Sequence, residues 1–255
     1  MSDTSLPSQN SAAFSGARFA RALNPTWLFW FSMLAASALG TNLGDLVAEV
    51  VGLGRVGSLL ALSVISALAI FVDARLGERA EAGYWVAIVA LRAAATNVGD
   101  ILTHDAGLSY LSASVLLALA TLAAGYFSRI NRAANSSPDI DARYWGAMLI
   151  AGVFGTVCGD MIAHSIGLLL ATVILVPLTV VAIIGRRQFA ATSVLAYWVI
   201  VLAERCAGTV VGDGIDSRHG LALGLPIATI ITCALLAIGL AMRQRILSGT
   251  TGTHR

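Results

Sequence analysis

One pattern occurs four times in this chain, and it limits the possible folds more than any other feature. Each copy begins with a small residue and Thr, continues with two variable residues, and then has Gly and Asp. A Gly-Leu pair begins seven residues after the Asp. The copies are GTNLGDLVAEVVGL at 40–53, ATNVGDILTHDAGL at 95–108, GTVCGDMIAHSIGL at 155–168 and GTVVGDGIDSRHGL at 208–221. Their aspartates are 55, 60 and 53 residues apart. A recurring period of this length indicates a fold built from four similar units.

Each copy lies inside a long apolar stretch and is followed by a second one. Only 12% of the residues are charged and 57% are hydrophobic, whereas soluble domains contain about 25% charged residues. We therefore predict an all-α integral membrane protein with about eight transmembrane helices. Two helices per unit give all four units the same orientation. The expected architecture is four parallel two-helix repeats, with pseudo-twofold and rougher fourfold symmetry about the membrane normal.

The arginines predict the orientation in the membrane. Apart from Arg92 and Arg205, twelve arginines fall on one side of the expected helices and two on the other. The positive-inside rule then places both termini in the cytoplasm. The expected divisions are a flexible cytoplasmic tail at 1–24, one membrane domain at 25–242 and a cytoplasmic tail at 243–255. The four repeats are expected at about 25–72, 80–127, 140–184 and 193–242.

Polar residues recur every four positions around each Asp, so they share one helical face. Thr stands four residues before every Asp, and Arg92 and Arg205 stand eight before it in the second and fourth copies. An aromatic pair stands sixteen residues before each Asp, about 24 Å along a helix, and is expected in a belt at the cytoplasmic interface. Small residues one and five positions before each Asp predict close contacts between the motif helices. The other four helices are then expected to form an outer layer.

Ionisable groups at bilayer depth are costly and indicate a functional site. Asp and His four residues apart offer an oxygen and a nitrogen to a divalent metal such as Mn, Zn, Fe or Co. The predicted ligands are Asp45, Glu49, Asp100, His104, Asp160, His164 and Asp213. The predicted supporting polar residues are Arg92, Thr96, Thr156, Glu204, Arg205 and Thr209. We expect the second and third copies to hold the ion jointly, with Asp45 and Asp213 completing or flanking the site. Because a metal binds neutral imidazole, affinity should fall as the pH is lowered.

These residues favour a transporter or exporter of a divalent metal cation. A proton or small-ion channel, a metal-dependent intramembrane enzyme and a non-transporting membrane sensor or assembly factor are alternatives. A structural role is a further alternative, with Arg92 and Arg205 pairing with aspartates of neighbouring helices. A nucleotide-binding loop of the form GxxxxGK[ST] is excluded because the chain contains no lysine. The expected partners are the lipid bilayer and a small cation, and nothing indicates nucleic-acid binding.

The repeated Gly-Asp unit with its aromatic pair resembles a family of bacterial inner-membrane proteins defined by this repeat, whose function is unknown. The resemblance extends over about residues 26–242 and rests on the motifs quoted above. It implies a multi-pass protein of the bacterial inner membrane and supplies no substrate or mechanism. The fourth copy departs from the others because Ser217 replaces the Glu or His that follows the Asp by four residues.

Overall fold

The structure, a computed structural model, describes residues 25–76, 81–127, 130–131, 137–188 and 194–251. The described residues form eight α-helices. They are α1 (Trp27–Asp45), α2 (Gly54–Leu76), α3 (Glu81–Asp100), α4 (Tyr110–Tyr126), α5 (Ala142–Ile166), α6 (Leu168–Gln188), α7 (Val194–Asp216) and α8 (Leu225–Thr251). The only strands among these residues are β1 (Ile130–Asn131) and β2 (Ser137–Pro138), which pair antiparallel between α4 and α5.

The four helices that carry the motif form a closed inner ring. Helix α1 packs against α3 and α7, and α5 packs against the same two helices from the opposite side. Their buried faces supply most of the core, including the aromatic residues near the start of each helix. The prediction that the motif helices contact one another at the centre is confirmed.

The small residues of the motif make these contacts, as their spacing predicted. A Cβ atom on Gly99 would lie 2.9 Å from Thr156 Cβ, and one on Gly159 would lie 2.8 Å from Thr209 Cβ. A Cβ atom on Gly44 would lie 2.7 Å from the carbonyl oxygen of Ala93. Each glycine therefore faces the motif helix of the next copy, where only a hydrogen atom fits.

The second helix of each copy packs mainly on the motif helix of the following copy. Helix α2 packs on α3, α4 on α5, α6 on α7, and α8 returns to α1. Positive φ angles at Gly52, Gly107 and Gly167 allow the chain to turn sharply between the paired helices. In the fourth copy the positive φ angles fall at Ala222 and Gly224, after a longer turn. The last helix thus completes the outer layer by packing on the first motif helix.

Six of the described helices are long and apolar enough to cross a membrane, namely α2, α3, α5, α6, α7 and α8. Helix α4, with 17 residues, is shorter. The outer helices leave large apolar side chains exposed, such as Val64, Leu116, Leu169 and Ile230. Exposed apolar area on this scale matches an all-helical multi-pass membrane protein rather than a soluble bundle.

One expectation needs correction. The aromatic pairs are buried in the core and do not form a lipid-facing belt, because their rings pack against rings of neighbouring motif helices, as Phe29 does with Trp85 and Trp30 with Tyr197. Helix α8 continues to Thr251, past the boundary expected at 242, and Arg243 pairs with Glu81 at 2.6 Å. The chain after Asp45 and after Asp100 forms π-helical turns, Leu46–Val50 and Ile101–Asp105, whereas α5 and α7 stay α-helical beyond their aspartates. The tail expected at 1–24 lies outside the described residues.

Candidate functional site

The polar stripe of each motif helix faces the centre of the ring, where equivalent residues of the four copies meet in layers. One layer consists of the four motif threonines, Thr41, Thr96, Thr156 and Thr209. The aromatic layer lies twelve residues before it on each helix, and the aspartates lie one turn after it. We call the two ends of the ring the aromatic end and the aspartate end.

The guanidinium of Arg92 occupies the centre of the threonine layer. Its Nη1 donates to Thr96 Oγ1 at 2.8 Å and to Thr156 Oγ1 at 2.9 Å. Its Nη2 donates to Thr41 Oγ1 at 2.8 Å and to Thr209 Oγ1 at 2.7 Å. Its Nε donates to Ser37 Oγ at 3.3 Å, so all five N–H donors are used. One side chain therefore bonds to all four copies of the motif.

The threonines accept these bonds because their own protons point elsewhere. Thr41, Thr96 and Thr209 donate to the carbonyl oxygens of Ser37, Arg92 and Arg205, one turn earlier, at 3.1–3.2 Å. Each of these hydroxyl oxygens is then free to accept from Arg92. A hydroxyl group at this motif position accepts a hydrogen bond from Arg92, which explains why Thr recurs there.

Arg205 has the same motif position as Arg92 but different surroundings. Its Nη2 contacts the sulfur atoms of Met33 at 3.5 Å and Met148 at 3.4 Å. Its Nε and Nη1 have no hydrogen-bond partner among the described residues, although the side chain is 1% exposed. Only one guanidinium fits on the axis of the threonine layer, so the predicted twofold equivalence of the two arginines is not present.

The aromatic end is closed by packed rings. Phe29, Tyr84, Tyr144 and Tyr197 are each 0% exposed. The hydroxyl of Tyr144 lies 2.6 Å from that of Tyr84 and 3.3 Å from that of Tyr197. Neighbouring tryptophans pack against these rings, as Trp198 does against Tyr144 at a centroid separation of 5.8 Å and an interplanar angle of 50°. This layer seals the ring on the side away from the aspartates.

The four predicted aspartates gather at the other end and are half-buried. Asp45 lies within electrostatic range of Asp100, Asp160, Asp213 and Glu49. Arg92 interacts electrostatically with Asp45, Asp160 and Asp213 from one turn below. Among the described residues none of these aspartates forms an ion pair with Arg92 or Arg205, so the interpretation of direct Arg–Asp pairs as glue is wrong.

A cavity of about 770 Å³ opens beside the aspartates of the third and fourth copies. Its polar lining comprises Asp160, His164, Asp213, Ser217 and His219. Asp100 and His104, expected to share a site with Asp160 and His164, are not part of this lining. His219 is not among the predicted ligands, because it lies in a turn after α7 and no helical spacing relates it to the motif.

The histidines and Glu49 lie at the outer edge of this region. His104, His164 and Glu49 are exposed. The Nδ1 of His164 lies 2.7 Å from the carbonyl oxygen of Asp160, and the Nδ1 of His104 lies 3.1 Å from Thr103 Oγ1. No three His, Cys, Asp or Glu side chains of the described chain come close enough together to hold a metal ion. The predicted ligands therefore do not form a preassembled metal centre.

Glu204, predicted as a supporting residue, does not take part in the axial layers. Its side chain is fully buried and borders a second cavity between α1, α6 and α7. The remaining supporting residues, Arg92, Thr96, Thr156 and Thr209, belong to the threonine layer, and Arg205 lies next to it.

Comparison with known proteins gives one family. Residues 196–246, which comprise the fourth copy from its aromatic pair to α8, match the family described as a Repeat of Unknown Function (DUF347). No curated protein matches the chain. No solved structure matches it either. The fourth copy is therefore similar to an uncharacterised repeat family.

Proposed function

We propose that the protein is an integral membrane transporter or exporter of a divalent metal cation, which binds at the aspartate end of the helix ring. The observation that carries the proposal is the group of four half-buried aspartates one turn beyond the threonine layer. We further propose that it crosses the bacterial inner membrane eight times, as four parallel two-helix repeats around the membrane normal. The arginine distribution favours cytoplasmic termini, so the aspartate end faces outward.

The balance of formal charge favours a divalent ion. Four half-buried aspartates lie at this end, and Arg92 is the buried arginine that interacts with them electrostatically. With the carboxylates ionised, the negative charge exceeds the single positive charge of Arg92, and a divalent cation offsets this excess more fully than a monovalent one. Carboxylates held in a medium of reduced dielectric attract a cation more strongly than they do in water.

The spacing of the ligands favours a cation that keeps part of its water shell. Because no three ligand side chains converge in the described chain, direct coordination by several residues requires movement of the helices. The cavity beside Asp160 and Asp213 is wide enough for a hydrated ion. Hydrated binding also suits transport, since a cation that keeps water leaves its site more easily than one enclosed by protein ligands.

The structure of the axis favours a transporter over an open channel. Below the aspartates, the positive charge of Arg92 fills the threonine layer, and the aromatic end is packed shut. A cation would have to pass a fixed like charge and a layer of buried rings to follow the axis. Passage of the ion therefore requires a second conformation, as in alternating access.

The proposal is tested by measuring Mn²⁺ flux into proteoliposomes with a metal-sensitive dye. We expect wild-type protein to move Mn²⁺ and Asp160→Asn and Asp213→Asn to lower its apparent affinity at least about tenfold, equivalent to about 1.4 kcal/mol. Asp105→Asn is the matched control, because Asp105 is an exposed carboxylate paired with Arg55 at 2.8 Å, outside the ring.

Three results would contradict the proposal. Equal flux in the wild type and both aspartate variants would assign these carboxylates a packing role. Mn²⁺ binding without flux by the wild type would favour a sensor. Rapid, dissipative flux of protons or monovalent ions, unaffected by Mn²⁺, would favour a channel.

A further inference from the structure

The cavity between α1, α6 and α7 contains an ionisable group that the aspartate end does not use. Glu204 is 0% exposed, and neither carboxylate oxygen has a hydrogen-bond partner among the described residues. The neighbouring Arg205 contacts Met33 and Met148 and, although it interacts electrostatically with Glu204, forms no ion pair with it. A buried polar group without a partner is costly and calls for an explanation.

The cavity is about 300 Å³ in volume, at the lower end of the range for small-molecule pockets. Apart from Glu204 and Thr179, the lining side chains are apolar or aromatic. Thr179 already donates its proton to the carbonyl oxygen of Leu175 at 2.8 Å. A ligand therefore meets one acidic group inside an otherwise apolar pocket.

The wall formed by α1 is aromatic. Trp27, Trp30 and Phe31 line the cavity from this side. Aromatic faces attract organic cations, and Trp does so more strongly than Tyr or Phe. A carboxylate together with several rings is a recurring arrangement for ammonium groups that carry apolar substituents.

The cavity is accessible from the outer surface of the helix bundle. Trp27 is 52% exposed, Val180 is 47% exposed and Ile184 is 50% exposed. In a membrane-spanning bundle this surface faces the acyl chains. A ligand reaching Glu204 by this route must carry apolar groups that can enter the lipid.

We propose that this cavity binds a lipophilic organic cation, with Glu204 as its counter-charge and the indole rings of Trp27 and Trp30 against its apolar part. A zwitterionic lipid headgroup fits less well, because it carries a phosphate and no basic side chain lines the described cavity. The site is separate from the aspartate end, since Glu204 stands nine residues before Asp213 on α7 and faces α1 and α6.

Binding is measured with tritiated benzyltrimethylammonium and protein in lipid nanodiscs. The competitor is neopentylbenzene, which has the same shape with carbon in place of the charged nitrogen. We expect saturable binding to the wild type, at least tenfold weaker binding to Glu204→Gln and no competition by neopentylbenzene. Asp105→Asn also removes one carboxylate, far from the cavity, and should bind like the wild type.

A second variant keeps the test informative if Glu204→Gln fails to fold. Val180→Trp fills the exposed rim of the cavity without altering Glu204, and it should also abolish binding. No saturable binding to the wild type, unchanged binding in Glu204→Gln or in Val180→Trp, or equal competition by neopentylbenzene would each overturn the proposal. Because the readout is binding rather than Mn²⁺ flux, its outcome is independent of the aspartate site.

Discussion

The two ends of the helix ring are made by the same four helices but differ in almost every physical respect. At the aromatic end, the layer of Phe29, Tyr84, Tyr144 and Tyr197 is fully buried. The hydroxyl group of Tyr144 lies within hydrogen-bond distance of the hydroxyl groups of Tyr84 and Tyr197. At the aspartate end, four carboxylates are half-buried, and α1 and α3 continue into π-helical turns. Packing is thus concentrated at one end, and carboxylates that outnumber their buried counter-charge lie at the other.

Arg92 forms the boundary between the two ends. Its hydrogen bonds fasten all four motif helices together, and its charge offsets the aspartates above it. In the proposed function, one repeat serves both stability and cation binding, at positions sixteen residues apart. Substitutions near the aromatic end should therefore change stability, and substitutions at the aspartate end should change cation binding.

The largest loss of stability is expected for Arg92→Met. The variant removes five hydrogen bonds and leaves the aspartates without their nearest counter-charge. We expect the free energy of unfolding to fall by about 3–5 kcal/mol, as when one partner of a buried charged group is removed. Thermal unfolding in detergent, followed by size-exclusion chromatography, measures this effect.

Arg205→Met is the matched control for Arg92→Met. Because two of its nitrogen atoms have no partner in the described chain, replacing them with an apolar side chain should leave stability unchanged or raise it by about 1 kcal/mol. Equal losses in both variants would show that Arg92 has no special role in joining the four copies.

The next largest effect is expected for Gly155→Ala. The added Cβ would lie 2.5 Å from Arg205 Cβ and 2.7 Å from the Arg205 carbonyl carbon, so α5 and α7 would have to separate. Overpacking of this kind costs about 1–3 kcal/mol. Gly146→Ala on the same helix is the control, because nothing lies within 4 Å of its added Cβ, and stability should rise by about 0.5–1 kcal/mol. A loss of similar size at both positions would contradict the close approach of α5 and α7.

A smaller loss is expected for Tyr144→Phe at the aromatic end. Its hydroxyl joins those of Tyr84 and Tyr197, so the free energy of unfolding should fall by about 1 kcal/mol. Tyr126→Phe is the control, since Tyr126 is 67% exposed and should tolerate the change. Transport should be unaffected in both, and loss of Mn²⁺ flux in Tyr144→Phe with unchanged stability would reverse the assignment of the two ends.

The smallest change in stability is expected for Asp160→Asn. Removing one of several neighbouring carboxylates relieves repulsion, so stability without metal should stay within about 0.5 kcal/mol of the wild type. Mn²⁺ at a hundred times its dissociation constant should stabilise the wild type by about 2.7 kcal/mol and the variant much less. Equal stabilisation of both proteins by Mn²⁺ would contradict a role for Asp160 in binding.

Sequence periodicity predicted the inner ring and its glycine contacts because spacing determines which residues share a helical face. The positions of Gly99, Gly159 and the motif threonines followed directly from that rule. Periodicity could not show which of the two arginines bonds to the threonine layer, because both stand eight residues before their Asp. It could not place His219 either, since a turn has no helical period.

The aromatic pairs show a different limit. Their position at the start of each helix suggested an interfacial belt, yet the rings pack between neighbouring motif helices, as Tyr84 does against Trp145, and residue spacing does not show how closely those helices approach. Residue spacing also could not predict that each second helix packs on the following copy, because this packing depends on how sharply the chain bends at turns such as Gly107 and Gly167.

The central claim is that the carboxylates of the aspartate end bind a divalent cation. Electron paramagnetic resonance of a Mn²⁺ titration tests it most directly, because the signal of free Mn²⁺ decreases as the ion binds. For protein in nanodiscs, we expect one saturable Mn²⁺ per wild-type chain and loss of that site in the folded double variant Asp160→Asn/Asp213→Asn. The same stoichiometry and affinity in the double variant, or no saturable binding to the wild type, would contradict the account.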